Sequence, residues 1–290
     1  MKRILNIASL IVTLAILLPL GCAAQARIDT RKMKIADFTT KTIKGVLGSN
    51  PYTDDFLRSE VASRWRISPY EFCTVEEYEK LKTSSDWYFL RTVKVKQKGE
   101  KTDGLVFLTV EKGGLESSDD QRKLRFEVVG IPLCAADFPD GKEFVFLPGI
   151  IDILQEHITS SMISDKVAYL GFQDYANRVH KTRTKRIYLC RDDITQEVTP
   201  AKLRGLLDDD IVVTDGEEAC KVFSSGTYNT MVGYVVCPSE PQPGSWCYTM
   251  LIDAQTHELQ YFSRHQIKAG KGAGFLLGDL KKITASRKRR

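Results

Sequence analysis

Histidine, tryptophan and long apolar runs are scarce in this chain of 290 residues, and so are the spacings that turn reactive side chains into sites. There are four histidines and three tryptophans. No two histidines stand at His-x-x-x-His spacing, which would put both imidazoles on one helix face for zinc. No Cys-x-x-Cys occurs, so a thioredoxin-type redox site and a zinc ribbon have no support. Gly-x-Ser-x-Gly is missing, as is the Asp-x-Asp-x-Asp-Gly loop of a calcium site. Gly270-Lys271-Gly272-Ala273-Gly274 lacks the Walker spacing and reads as a turn. Seven cysteines are too few for a disulfide scaffold. The balance of 42% hydrophobic and 27% charged residues excludes collagen and extended disorder. No catalytic, cofactor-binding or metal site follows from these patterns.

What is present begins at the amino terminus. Lys2 and Arg3 precede an apolar run from Ile4 to Leu20, and Ala24-Gln25-Ala26 offers small residues for cleavage between Ala26 and Arg27. This is the layout of a secretory signal peptide. Leu18-Pro19-Leu20-Gly21-Cys22 offers a second reading, a bacterial lipobox with Cys22 as the lipidated residue. Either predicts a periplasmic or secreted protein, anchored to the outer membrane if lipidated. Beyond this run no stretch reaches the length of a spanning helix. The formal net charge of +5 belongs to the ends. Lys2, Arg3, Lys281, Lys282, Arg287, Lys288, Arg289 and Arg290 account for eight cations, and without them 34 remain against 37 acidic residues. The body is therefore slightly acidic, which argues against nucleic acid as a partner. Arg287, Lys288, Arg289 and Arg290 are candidates for weak contact with a membrane surface.

Periodicity predicts a mixed α/β chain. Phe56, Leu57, Val61 and Trp65 recur at near-helical spacing after the capping oxygens of Thr53-Asp54-Asp55, and Pro69 ends the pattern. Tyr70–Cys73 reads as a strand. Thr74-Val75-Glu76-Glu77 is a capping box. Trp87–Val95, Leu105–Val110 and Lys123–Val129 read as strands. A helix is expected from Pro148 to Ser161, with the proline in its first turn. Arg178–Arg186 reads as a solvated basic strand edge. Strands are expected at Arg186–Cys190, Ile211–Thr214 and Thr230–Cys237, a short helix from Thr199-Pro200 to Leu207, and a helix capped by Asp215. Trp246–Asp253 and Glu258–Ile267 form a hairpin pattern.

The two halves repeat this order. Sliding residues 74–95 onto 215–236 matches Glu76 with Glu217, Glu77 with Glu218, Lys80 with Lys221, Ser84 with Ser225 and Val95 with Val236. The expected organisation is a first α/β unit over 27–143, a bridging helix and basic connector over 144–186, a second unit over 187–268, and a Gly-rich turn with a basic tail over 269–290. The segment Tyr234-Val235-Val236, followed by Tyr248 to Leu259 with Asp253-Ala254-Gln255-Thr256-His257-Glu258 at its turn, resembles the periplasmic α/β domain of curli-secretion lipoproteins and the amino-terminal domain of the Tol system. In those families an Asp-x-x-Thr-Gly-Glu-type turn joins two strands at the sheet edge, and His257 stands here where glycine is usual. The resemblance implies an assembly scaffold. The chain is also similar to secreted or periplasmic proteins of Gram-negative anaerobes, which implies export and no activity.

Six cysteines follow the export signal: Cys73, Cys134, Cys190, Cys220, Cys237 and Cys247. Cys237 and Cys247 flank a Pro- and Gly-containing loop between two strands and are the candidate disulfide. Cys73 precedes a helix N-terminus, whose partial positive charge would favour a thiolate. The expectation is an exported, non-catalytic envelope protein that binds an envelope partner or a second copy of itself, with no cofactor. The rival readings are a secreted hydrolase, with a nucleophile beside His157, His257 or His265, and a small-ligand binding protein with its pocket between the halves.

Overall fold

The computed structural model describes residues 35–48, 50–97, 100, 104–114 and 126–288. Cys22, Ala26 and Arg27 lie outside them, as do Arg289 and Arg290. Of Arg287 and Lys288 only the helical backbone is described.

The first half carries strands β1 (Ile43–Val46), β2 (Tyr70–Cys73), β3 (Tyr88–Val95), β4 (Leu105–Lys112) and β5 (Phe126–Ala135), with helices α1 (Pro51–Arg64) and α2 (Val75–Leu81). A long helix, α3 (Lys142–Ile163), a short α4 (Asp165–Leu170) and a 3-10 segment (Gly171–Thr182) lead to the second half. That half carries β6 (Arg186–Cys190), β7 (Ile211–Thr214), β8 (Thr230–Val236), β9 (Trp246–Asp253) and β10 (Leu259–Gln266), with α5 (Pro200–Arg204), α6 (Gly216–Ser224) and α7 (Leu277–Lys288). The sheets run β2-β1-β3-β4-β5 and, read in the same direction, β7-β6-β8-β9-β10. In each, two parallel pairings flank the second strand, β1 or β6, and two antiparallel pairings follow.

The duplication extends to register. Ile43 faces Tyr70 on one side and Tyr88 on the other; Ile187 faces Ile211 and Met231. Tyr88 then faces Lys112, and Met231 faces Asp253. The capped helices match at the offset read from sequence, with Thr74 and Asp215 accepting from the amides of Glu77 and Glu218 at 3.2 and 2.8 Å. The strands do not, because α6 is nine residues long and α2 seven. Val95 and Val236 therefore fall out of register, and their identity does not mark equivalent positions.

Helix α3 packs between the sheets. Ile150, Ile151, Ile153, Leu154 and Ile158 are fully buried, and burying each such side chain is worth roughly 1.5–3 kcal/mol. One core cluster joins residues of both sheets to this helix. Phe146 stacks on Tyr234 with ring centroids 4.1 Å apart, and Phe107 meets Tyr248 edge-on at 5.6 Å. The helix begins six residues before Pro148, so the proline sits inside it rather than in its first turn. Without an N–H, Pro148 cannot donate to the carbonyl of Phe144, so one rung of the helix ladder is missing there.

Two further expectations are corrected, and one strand joins those expected. Residues 178–182 of the basic stretch belong to the 3-10 segment, and Arg178 bonds Glu156 at 3.0 Å and stacks on Tyr175 at 3.9 Å. Residues 277–288 are helical, and Phe275, Leu280 and Ile283 fill the core of the second sheet. Gly274 permits this closure: its φ is +103°, and a Cβ there would lie 2.4 Å from the carbonyl oxygen of Asp193. Strand β1 gave no pattern in the sequence, yet it is an interior strand of its sheet, between β2 and β3. Among the described residues no helix is long and apolar enough to cross a membrane.

Candidate functional site

A cleft of about 650 Å³ opens where α1, α3, α6 and the turn between β9 and β10 meet. Its wall is apolar through Phe56, Phe144, Val145, Pro148 and Phe223, and Arg64, Asp152 and His257 stand among its polar groups.

Each polar group is fixed by local structure. Arg64 is the last residue of α1, and the end of that helix is fastened to α3 by Gln155. The buried Gln155 amide donates to the carbonyl of Arg64 at 3.1 Å and accepts from the amide of Arg66 at 2.7 Å. Between them Trp65 is almost fully buried and anchors the turn. Asp152 lies one helical turn before Gln155 on α3. His257 is presented by a turn that Asp253 organises. The Asp253 carboxylate accepts from the amides of Gln255 and Thr256 at 2.9 and 2.8 Å and from Lys185. Burial alone would raise the pKa of Asp253; the bonds to Lys185 and the turn amides outweigh it and hold the group below the ordinary carboxylate value.

These pieces form a chain across the molecule. Glu60 accepts from Arg64 Nε at 2.9 Å. Arg64 Nη1 donates to Asp152 Oδ2 at 2.9 Å, and His257 Nδ1 lies 2.7 Å from the same oxygen. A carboxylate held by arginine can only accept, so Nδ1 carries the proton and Nε2 presents its lone pair when the imidazole is neutral. Neither His257 Nε2 nor Asp152 Oδ1 has a hydrogen-bond partner among the described residues. The imidazole is half of a stack, 5.3 Å from the ring of Phe223 and inclined by 24°. Gly149 makes room for that stack, since a Cβ there would stand 2.9 Å from Phe223 and 3.5 Å from His257.

His257 has φ +58°, the left-handed region. The turn thus keeps the conformation that glycine would supply, with a residue that holds it at a cost of roughly 1–2 kcal/mol. Strain retained at a cleft residue whose side chain reaches across to another element points to a use for that side chain.

The hydroxyls beside the imidazole are engaged elsewhere. Ser224 donates to the carbonyl of Cys220 at 2.8 Å, and Ser225 to that of Val222 at 3.0 Å. Neither is arranged as a nucleophile for His257. His157 is buried against Phe172, with ring centroids 4.5 Å apart, and His265 Nε2 bonds the carbonyl of Gly272 at 2.8 Å. Cys73 is buried, and burial pushes its thiol up rather than activating it. Cys237 and Cys247 are free thiols at the facing ends of β8 and β9.

A second cavity of about 350 Å³ holds Asp140, Lys142 and Asp193. Burial pushes Asp193 up to about 6 despite Lys142 at 3.4 Å.

Sequence reading placed His257 on its turn but missed Arg64 and Asp152. The signal for Asp152 was present: a carboxylate inside Ile150-Ile151-Asp152-Ile153-Leu154, next to a glycine in a helix interior. Comparison with family models, with curated proteins and with solved structures returns no match.

Proposed function

We propose that this chain is an exported envelope protein that acts by binding rather than by turnover, and that the cleft between its two repeats is where it binds. The observation that carries this reading is the open Asp152–His257 pair. Two acceptor atoms, Asp152 Oδ1 and His257 Nε2, stand beside an apolar wall with no bonded nucleophile. Such an arrangement suits a ligand with an apolar body and a hydrogen-bond-donating head, an amine or a hydroxyl. The C-terminal end of α6, at Ser224 to Gly226, adds partial negative charge to the same rim and favours an amine. The likeness to assembly lipoproteins supports a partner in the envelope, presenting such a group from a peptide segment.

The test is a thermal-shift and calorimetric screen of amines, amino alcohols and lysine- or serine-bearing peptides on the mature chain. The expected result is a ligand that stabilises the wild type and loses at least tenfold in affinity on Asp152→Asn or His257→Asn. A ligand bound equally well by both variants, or none in the series, would overturn the reading.

The imidazole geometry also favours a second reading. With Nδ1–H held by Asp152, Nε2 is oriented to take a proton from water, as a general base in a hydrolase does. Hydrolysis of ester or amide panels by the wild type, abolished in His257→Asn, would favour it over binding alone.

A further inference from the structure

The strand pairing brings two cysteines face to face at a position where they can be joined. In the β8–β9 ladder Met231 faces Asp253 and Val236 faces Tyr248, so the next pair outward is Cys237 and Cys247. The amide of Ala254 donates to the carbonyl of Thr230 at 2.9 Å, which makes 230/254 a hydrogen-bonded pair. Counting by alternate pairs along the ladder, 237/247 is a non-hydrogen-bonded pair, the kind in which the two backbones and side chains come closest. Cys247 is fully buried and also accepts from the amide of Gly274 at 3.2 Å, which fixes its sulfur. Cys237 is only partly buried and lines the second cavity, so it is the sulfur an outside reagent can reach.

The loop between them touches the other repeat. Ser239 donates to the carbonyl of Asp137 at 2.7 Å, and the amide of Trp246 donates to Glu100 Oε1 at 3.0 Å. A bond across its base would hold the contact between repeats at that end of the molecule.

We infer that Cys237 and Cys247 are a disulfide site, closed by thiol–disulfide exchange with a disulfide-carrying oxidant and serving as a clamp on the loop that ties the second repeat to the first. In the first step the Cys237 thiol gives up its proton, and its thiolate attacks one sulfur of the oxidant. A mixed disulfide forms and one oxidant thiol leaves. In the second step the Cys247 thiol gives up its proton, and its thiolate attacks the Cys237 sulfur of that mixed disulfide. The protein disulfide forms and the second oxidant thiol leaves. Two electrons pass from the protein sulfurs to the oxidant disulfide, and atoms balance. The neighbouring Cys247 thiol and burial both push the Cys237 thiol up, so the first step is slow at neutral pH and needs an oxidant rather than chance contact.

The test uses the reduced mature chain, incubated under argon with oxidised glutathione, then alkylated and read by intact mass and peptide mapping. The expected result is a chain lighter by two hydrogens, four alkylatable cysteines, and one linked peptide pair containing Cys237 and Cys247. Its Tm should exceed that of the reduced chain by about 5 °C. Cys134→Ser should leave this unchanged. Cys247→Ser should stop at a glutathione adduct on Cys237 and show no rise in Tm. If Cys247→Ser fails to fold, the wild-type peptide map still decides. Six alkylatable thiols after oxidation, a link that includes any other cysteine, or a link with no gain in Tm would overturn the inference.

Discussion

The two repeats share strand order and register but not the sign of one charge. In the first, Lys112 at the end of β4 pairs with Asp37 at 2.8 Å, ahead of β1. In the second, the equivalent position at the end of β9 is Asp253, and it pairs with Lys185, just ahead of β6, the counterpart of β1. The latch is the same and its polarity is reversed. In the first repeat the anion also accepts from Tyr88 at 2.6 Å and is a third exposed. In the second it is buried and takes two turn amides as well. Reversing the charge thus put a carboxylate where it can organise a tight turn, and that turn carries His257. The comparison teaches that the two copies share a sheet, while the hairpin of the second carries the turn that brings His257 to the cleft.

The comparison can be broken most forcefully at Asp253. Asp253→Ala removes a buried partner from Lys185 and an acceptor from two amides, and should cost about 3–5 kcal/mol in urea unfolding. Asp37→Ala, at the more exposed latch, should cost about 1 kcal/mol. Equal losses would refute the claim that the second latch does more.

Next in size is Gly149→Ala. In an ordinary helix interior that change gains about 1 kcal/mol. Here the added methyl meets Phe223 and His257, and we expect a loss of about 1–3 kcal/mol by chemical denaturation together with loss of ligand binding. A gain in stability would show that the stack tolerates displacement.

A smaller effect is read from pH. Burial raises the pKa of Asp37, but Lys112, Tyr88 and Lys41 outweigh it and hold the group down at about 2. Its folded value lies below its unfolded value of 3.8, so its contribution is full above about pH 4 and is lost as pH falls toward 2. Asp193 behaves oppositely. Its folded value of about 6 lies above its unfolded 3.8, so its charged form destabilises the protein above pH 6, and the penalty fades as pH falls toward 4. Stability should therefore rise from pH 7 to about pH 4.5 and fall below pH 4. Asp193→Asn should flatten the upper limb and leave the lower one, as followed by thermal melts across the range.

Much of the scaffold was legible because its signals are local. The capping box at Thr74, the Asp215 cap, and strands β2, β6 and β7 came out at their observed bounds, since each rests on a cap or an alternating run. Strand β1 was not, because Lys44 and Gly45 interrupt a run of four residues whose burial is set by its neighbours. The carboxy-terminal helix was masked by its basic composition, although Leu280 and Ile283 mark one buried face. The site was legible only in part. His257 stood out as a histidine in a glycine position, but Arg64 and Asp152 lie 88 residues apart and Asp152 and His257 a further 105. Only packing brings such distant residues together.

The claim that His257 serves the cleft rather than the fold is tested most directly by the Tm of His257→Gly. The substitution relieves the left-handed φ while removing the bond to Asp152 and the stack on Phe223. The account predicts a Tm within about 3 °C of wild type, with the cleft ligand lost. A fall of about 6 °C or more would contradict it, and would make His257 a structural brace between the repeats.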